Sequence, residues 1–487
     1  RRLQTLLNAA WNDRADAGRG PCVLKNPMRV VPALRWYRHA GWACSVADHF
    51  VADPIPPKAA QPPLSKAAPA AAFQSGAAAA FQGLRSSPLS SAAQRPRAHA
   101  RYDPHMTPDA LAFLRELLDT PSPSGFEQDG QRVWLRRTGA FADRVWHDAW
   151  GNCFAEIVPG GVREPATVAI FGHADEIGLM VNHIDEKGFV YCRSIGGVDP
   201  ASLVGKRIRF RSSVPGVKGP VTGVIGATAI HLQEKGGDAK VKKLHELFVD
   251  IGATDRTAAA ARLNIGDPGV MADAFEQLTD DIIIARGLDN RIGTWVASET
   301  LRLISASRKR LRCRVVAVST VQEEVGLHGA AMVAESLRPD VALVTDVGHA
   351  TDSPGVSAAQ HGLFRMGSGP KIAIGGPAHP AIVARLLEVA QREEIPLQRA
   401  ATPGKSGTDT DAIFLRAGGI TSALISLPIR YMHTTVEMAS LGDLKRIAEL
   451  FAAFCLDLAA GERFSHRFDS AAPRQSAPRS RKKVPRA

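Results

Sequence analysis

Short apolar or β-branched runs alternate with helix-like stretches through the middle of the chain. Thr167–Phe171 (TVAIF), Arg314–Thr320 (RVVAVST), Val341–Thr345 (VALVT) and Ser422–Leu427 (SALISL) read as strands. Helical stretches separate them near Thr294–Ser305, Gly329–Leu337, Pro380–Glu394 and Leu441–Leu458. This order predicts an α/β fold with a mostly parallel sheet flanked by helices. Upstream, MTPDALAFLRELLDT predicts an amphipathic helix. Thr107 would cap it, and Leu111, Leu114, Leu117 and Leu118 would share one face.

The alternation breaks from about Gly178 to Asp281. GLMVNHIDEKGFVYCRSIGG, GKRIRFRS and GPVTGVIGAT are rich in strand formers, glycine and turns. Strand following strand predicts a small β-barrel or sandwich inserted into the α/β domain. The domain expectation is therefore 106–177 with 282–464 as one α/β domain and 178–281 as the inserted β domain. Residues 1–105 are low in complexity, with Pro, Ala, Ser and Gln dominating from Val51 to Ala100. They are expected to be a disordered extension or a mis-assigned start, with Met106 as the alternative first residue. Residues 465–487 are expected to be a disordered basic tail.

Charge follows this division. The 487 residues carry a formal +12. Residues 1–105 hold 14 basic and 5 acidic side chains, and 465–487 hold 7 and 1, so the stretch between is −3. The basic excess belongs to the ends, where it reads as solvated chain rather than a nucleic-acid surface. No run of 18 strongly apolar residues occurs, which argues against a membrane-spanning helix. Six cysteines without a CxxC pair fit neither a disulfide framework nor a zinc ribbon, and a reducing compartment, the cytoplasm, is expected.

In open α/β sheets, ligands bind beyond the carboxyl ends of the strands. His173, Asp175 and Glu176 follow the first strand, Glu323 and Glu324 the second, Asp346 the third and His433 the fourth. Asp289 follows the apolar run DDIIIARGL. Each residue alone has a bland reading: a structural histidine, a helix cap, a solvated acid. Together they place imidazoles and carboxylates at one sheet edge, a donor set that suits zinc, cobalt or manganese. Two adjacent glutamates at the mouth of a buried strand repel each other unless a cation neutralises one and the other holds a proton.

The chain resembles the M42 family of metallo-aminopeptidases, the tetrahedral or deblocking group sometimes labelled glucanases. The matching strings are GHADEIGLMV (172–181), IGGVDP (195–200), ELFVDIGA (246–253), GDP (266–268), GLDNRIG (287–293), STVQEEVGLHGA (319–330), DVGHATDSPG (346–355), SGTDTDAI (406–413) and RYMHTTVEM (430–438). The resemblance implies a two-metal site with Asp289 bridging both ions. His173 and Asp346 would complete one, and Glu324 and His433 the other. Glu323 would be the general base and acid, with Asp175 supporting the His173 imidazole. A cis peptide is implied at Asp289–Asn290. The inserted domain would be a PDZ-like dimerisation barrel, and dimers would build a dodecamer that admits peptides.

Two other readings compete. One is a related two-metal amide hydrolase, a deacylase or carboxypeptidase. The other is a basic-armed binding protein whose site is incidental. Glycoside hydrolysis fits poorly, because it ordinarily needs two carboxylates and no metal pair.

Overall fold

Eight strands form the central sheet of the computed structural model, which describes residues 106–232 and 241–466. The expected extension over 1–105 and the basic tail beyond His466 lie outside the described residues. The spatial order is Arg144–His147, Cys153–Ile157, Arg314–Thr320, Thr167–His173, Val341–His349, Thr421–Ile429, Lys371–Ile374, Gln398–Ala401. The four middle strands run parallel. The outer strands join them antiparallel, and the last two pair parallel with one another. The sheet is thus mostly parallel and flanked by helices, as the apolar pattern predicts. Its middle strands are buried almost end to end, so they read as continuous apolar runs rather than alternating ones.

The Leu288–Ala306 helix lies against the strands that end at His173, Thr320 and His349. Trp295 and Arg291 on it are wholly enclosed. The Trp295 indole donates to the carbonyl of Ala110 (2.9 Å). The Trp134 indole donates to the carbonyl of Thr294 (2.8 Å), so both large rings are buried without losing a hydrogen bond. Ala110 belongs to the helix Pro108–Asp119, capped by the Thr107 hydroxyl and buried through Leu114, Leu117 and Leu118. Leu111 sits at the edge of that face and is only partly buried.

Between Gly178 and Met271, six antiparallel strands close into a barrel. Its strands alternate buried and exposed residues, as in Arg207–Phe210 and Val221–Gly226. The inward residues, among them Leu179, Ile208, Phe210 and Val249, make an apolar core separate from that of the sheet. After the barrel, Glu276–Gln277 and Ile282–Ala285 join Glu437–Ser440 in a three-stranded sheet. The chain therefore leaves the central sheet just after His173, passes through the barrel and the three-stranded sheet, and enters the Leu288–Ala306 helix, whose second residue is Asp289, before rejoining the central sheet at Arg314. No helix among the described residues is long and apolar enough to cross a membrane.

Candidate metal centre

His173 is the last residue of its strand, 1% exposed. Its Nδ1 lies 3.1 Å from the Asp175 carbonyl oxygen and 3.3 Å from the Asp175 carboxylate, which leaves Nε2 aimed outward. Nε2 lies 3.2 Å from Asp289 Oδ1 and 3.8 Å from Asp346 Oδ1. The other oxygen of Asp289, Oδ2, is 3.3 Å from His433 Nε2, which is in turn 3.4 Å from Glu324 Oε2. Two groups therefore meet at one aspartate: His173–Asp289–Asp346 and Asp289–Glu324–His433. Within each, the donor atoms all lie within 4.8 Å of one another. Glu323 Oε2 stands 3.7 Å from His173 Nε2, facing the same space. The chain has a cis peptide at Asp289–Asn290.

Asp175 does more than hold an imidazole. Its Oδ1 accepts from the Glu323 backbone N–H (3.0 Å) and its Oδ2 from that of Glu324 (3.1 Å). The Ser124 hydroxyl donates to it as well (2.6 Å). One buried carboxylate thus fixes the His173 ring and both glutamates. These hydrogen bonds and the His173 ring keep its pKa below the ordinary value although burial opposes the charge. The strand-to-loop turn helps, because Gln322 adopts a left-handed φ of 57° just before the glutamates.

Glu437 is a supporting residue that the strand-end pattern does not mark. It is buried, and its two oxygens accept from the backbone N–H groups of Asp289 (3.0 Å) and His433 (3.1 Å). The one available signal was an acid four residues after His433 inside RYMHTTVEM. Asp409, in SGTDTDAI, is likewise buried and accepts from the Thr320 hydroxyl (2.7 Å). Glu176, read as solvated or structural, is buried between Arg286 (2.6 Å) and Arg291 (2.5 Å). The barrel also reaches the site. A Cβ on Gly197 would come within 2.9 Å of the His433 ring, so the turn after Ile195 fits against the ring only with glycine at this position.

The donor set suits divalent cations. The buried Nε2 of His173 and Oε1 of Glu324 make no hydrogen bond among the described residues. Burial and neighbouring carboxylates push Glu323 and Glu324 up to about 10 and raise Asp346 as well. Burial opposes charge on Asp289 too, but the two imidazoles hold its pKa down. Glu323, Glu324 and Asp346, crowded around an ionised Asp289, hold protons unless cations share the space. The cleft they line has a volume near 490 Å³.

Residues 151–450 match a family described as M42 glutamyl aminopeptidase. The lysyl aminopeptidase of Pyrococcus furiosus is 31% identical, over 71% of this chain and 96% of its own length. Among solved structures, a TET aminopeptidase from a marine sediment thaumarchaeon has a TM-score of 0.67 at 29% identity. That match covers 72% of this chain and 96% of the archaeal one. The Pyrococcus horikoshii TET1 peptidase, which can assemble into a tetrahedron or a large octahedral shell, gives 0.63 at 30% identity, covering 72% and 100%.

Proposed function

The chain belongs to the M42 glutamyl aminopeptidase family and is a peptidase acting on N-terminal residues, and from that premise we propose that it uses two divalent metal ions with Glu323 as its base. The observation that carries this reading is Asp289, whose two oxygens each face a different imidazole. His173, Asp289 and Asp346 would hold one ion, and Asp289, Glu324 and His433 the other. Zinc or cobalt suits these nitrogen and oxygen donors, with manganese next. When bound, such ions acidify a water and polarise the scissile carbonyl.

The chain's own residues do the rest. Glu323, at the cleft wall and unconstrained by a side-chain hydrogen bond among the described residues, would take the proton of the attacking water. The same carboxyl would then give a proton to the departing amine. Asp175 keeps Glu323 and Glu324 in register by holding their backbone, so one carboxylate can turn to the ion and the other to the substrate. Glu437 holds Asp289 and His433 in the same manner.

Peptides are the proposed substrates, and twelve copies built from dimers are the proposed assembly, with the barrel as dimerisation domain. The shell-forming relative supports this. The described cysteines Cys153, Cys192, Cys313 and Cys455 are unpaired, which supports the cytoplasm as the compartment.

The test is hydrolysis of aminoacyl p-nitroanilides before and after exhaustive chelation. Activity should vanish and return with cobalt or zinc. Glu323→Gln should keep its metal and lose roughly 10²–10⁴ in turnover. Activity that survives complete chelation would rule out the two-metal mechanism.

A further inference from the structure

The segment carrying the two adjacent glutamates leaves its strand at Thr320. Each backbone N–H from Val321 to Glu324 is then taken by a side-chain oxygen. Val321 donates to Asn152 Oδ1 (3.1 Å), Gln322 to Glu127 Oε1 (3.2 Å), and Glu323 and Glu324 to Asp175. The carbonyls of Val321, Gln322 and Glu323 accept from the N–H groups of Gly329, His328 and Leu327. A segment that has left its sheet needs such partners for its backbone. Asp175 grips the two glutamates, and Asn152 and Glu127 grip the two residues that lead to them.

Glu127 stands at the head of the helix Gln128–Thr138 and is 4% exposed. Its Oε1 accepts from the Gly125 N–H (2.7 Å) in its own turn as well as from Gln322, 195 positions along the chain. Gln322 is where the segment bends, at a left-handed φ of 57°. A residue with a side chain keeps that conformation only where its surroundings hold it. Val321 is held before the bend and Glu323 after it; Glu127 holds the bend itself. No side-chain hydrogen bond among the described residues aims the Glu323 carboxyl, so its direction follows from this backbone. Behind Glu127 lies a second cavity, near 280 Å³, lined also by Gln131, Trp150 and Val321 and by none of the residues that line the cleft.

We propose that Glu127 is a positioning residue of the reaction: by accepting the Gln322 N–H, it holds the left-handed turn that aims the Glu323 carboxyl into the cleft. This rests on the reading of Glu323 as the base. Burial and the Asp175 charge push the Glu127 carboxyl up to about 7. Near neutral pH it is therefore present in both forms, and either one keeps an oxygen for the N–H. What the turn needs at that point is an acceptor, not a charge. Without one, the Gln322 N–H loses its partner and the bend its holder.

The experiment measures aminoacyl p-nitroanilide hydrolysis and bound metal on the metal-loaded full chain. Glu127→Ala should lower kcat roughly 10–100-fold while KM and metal content hold, because Asp175 still grips both glutamates. Glu127→Gln, which keeps the acceptor oxygen, should stay near the wild type. Acetate, entering the second cavity, should restore part of the lost kcat to Glu127→Ala in a saturable way. At equal ionic strength it should not raise kcat in the wild type or Glu127→Gln. Should Glu127→Ala fail to fold, Glu127→Asp, whose carboxyl stops one methylene short, should show the same fall in kcat. An unchanged kcat in Glu127→Ala would overturn the proposal. So would a Glu127→Gln variant as slow as Glu127→Ala, or a fall in metal content that matches the fall in turnover. Turnover that survives Glu323→Gln would instead defeat the reading of Glu323 as the base, and this inference with it.

Discussion

The two imidazoles that meet at Asp289 are held in opposite ways. His173 ends a central strand, 1% exposed, and its ring is oriented directly by Asp175. His433 sits in a loop at a left-handed φ of 62°, with 36% of its side chain exposed. Its backbone, not its ring, is what Glu437 grips. The sheet therefore supplies a ligand fixed by the fold itself, whereas the loop supplies one fixed by a neighbouring carboxylate. The open cleft lies on the loop's side, since His433 lines it and His173 does not. A bound ion should be tightly kept on the His173 side and more exchangeable on the His433 side.

The largest test of that asymmetry removes what the two sides share. Asp289→Ala should lose both ions and reduce kcat/KM on the order of 10⁴-fold or more, measured by metal analysis alongside anilide hydrolysis. Retention of one full equivalent would mean the sides are independent. A smaller effect should distinguish them. Glu437→Gln should weaken metal affinity by roughly 10–100-fold, in only one of two equivalents, as read by competition with a chelating dye. Equal weakening of both would erase the difference between strand and loop. The smallest effect lies at the far end of the cleft. Burial brings the Lys371 ammonium to about 8, and a lysine is charged below its pKa. Its neighbours are Phe364, Ser426 and His349, of which His349 alone titrates. The rate at which an amine-selective reagent labels Lys371 should therefore rise through about pH 8 and level off above it, as a mass-spectrometric labelling profile would record.

The same contrast marks what could be read from the sequence. His173, Glu323 and Glu324 follow β-branched runs whose burial is nearly continuous, and Asp346 closes another such run; a strand pattern plus the rule that ligands sit at strand ends was enough to point there. The same rule reached His433 from the run Ser422–Leu427, but it lies four residues beyond the strand's end at Ile429, in a turn whose conformation no periodicity marks. The residues behind the ligands were harder still. Ser124 and Asp175 are 51 positions apart, and Glu437 and Asp289 are 148 apart. Such contacts exist only once the sheet and the returning barrel bring the segments together. Arg286 and Arg291 could not be told from solvated arginines until Glu176 was seen buried between them. Strand following strand with glycine-rich turns betrayed the barrel, but its closure depends on pairings between strands far apart in the chain, such as Gly178–Ile184 with Pro268–Met271.

The most direct measurement is a crystal structure of the zinc- or cobalt-loaded protein with anomalous diffraction recorded at the metal edge. Two peaks per chain are expected, one among His173, Asp289 and Asp346 and one among Asp289, Glu324 and His433. A single peak, or peaks that leave Asp289 without a metal on both of its oxygens, would contradict the two-metal reading.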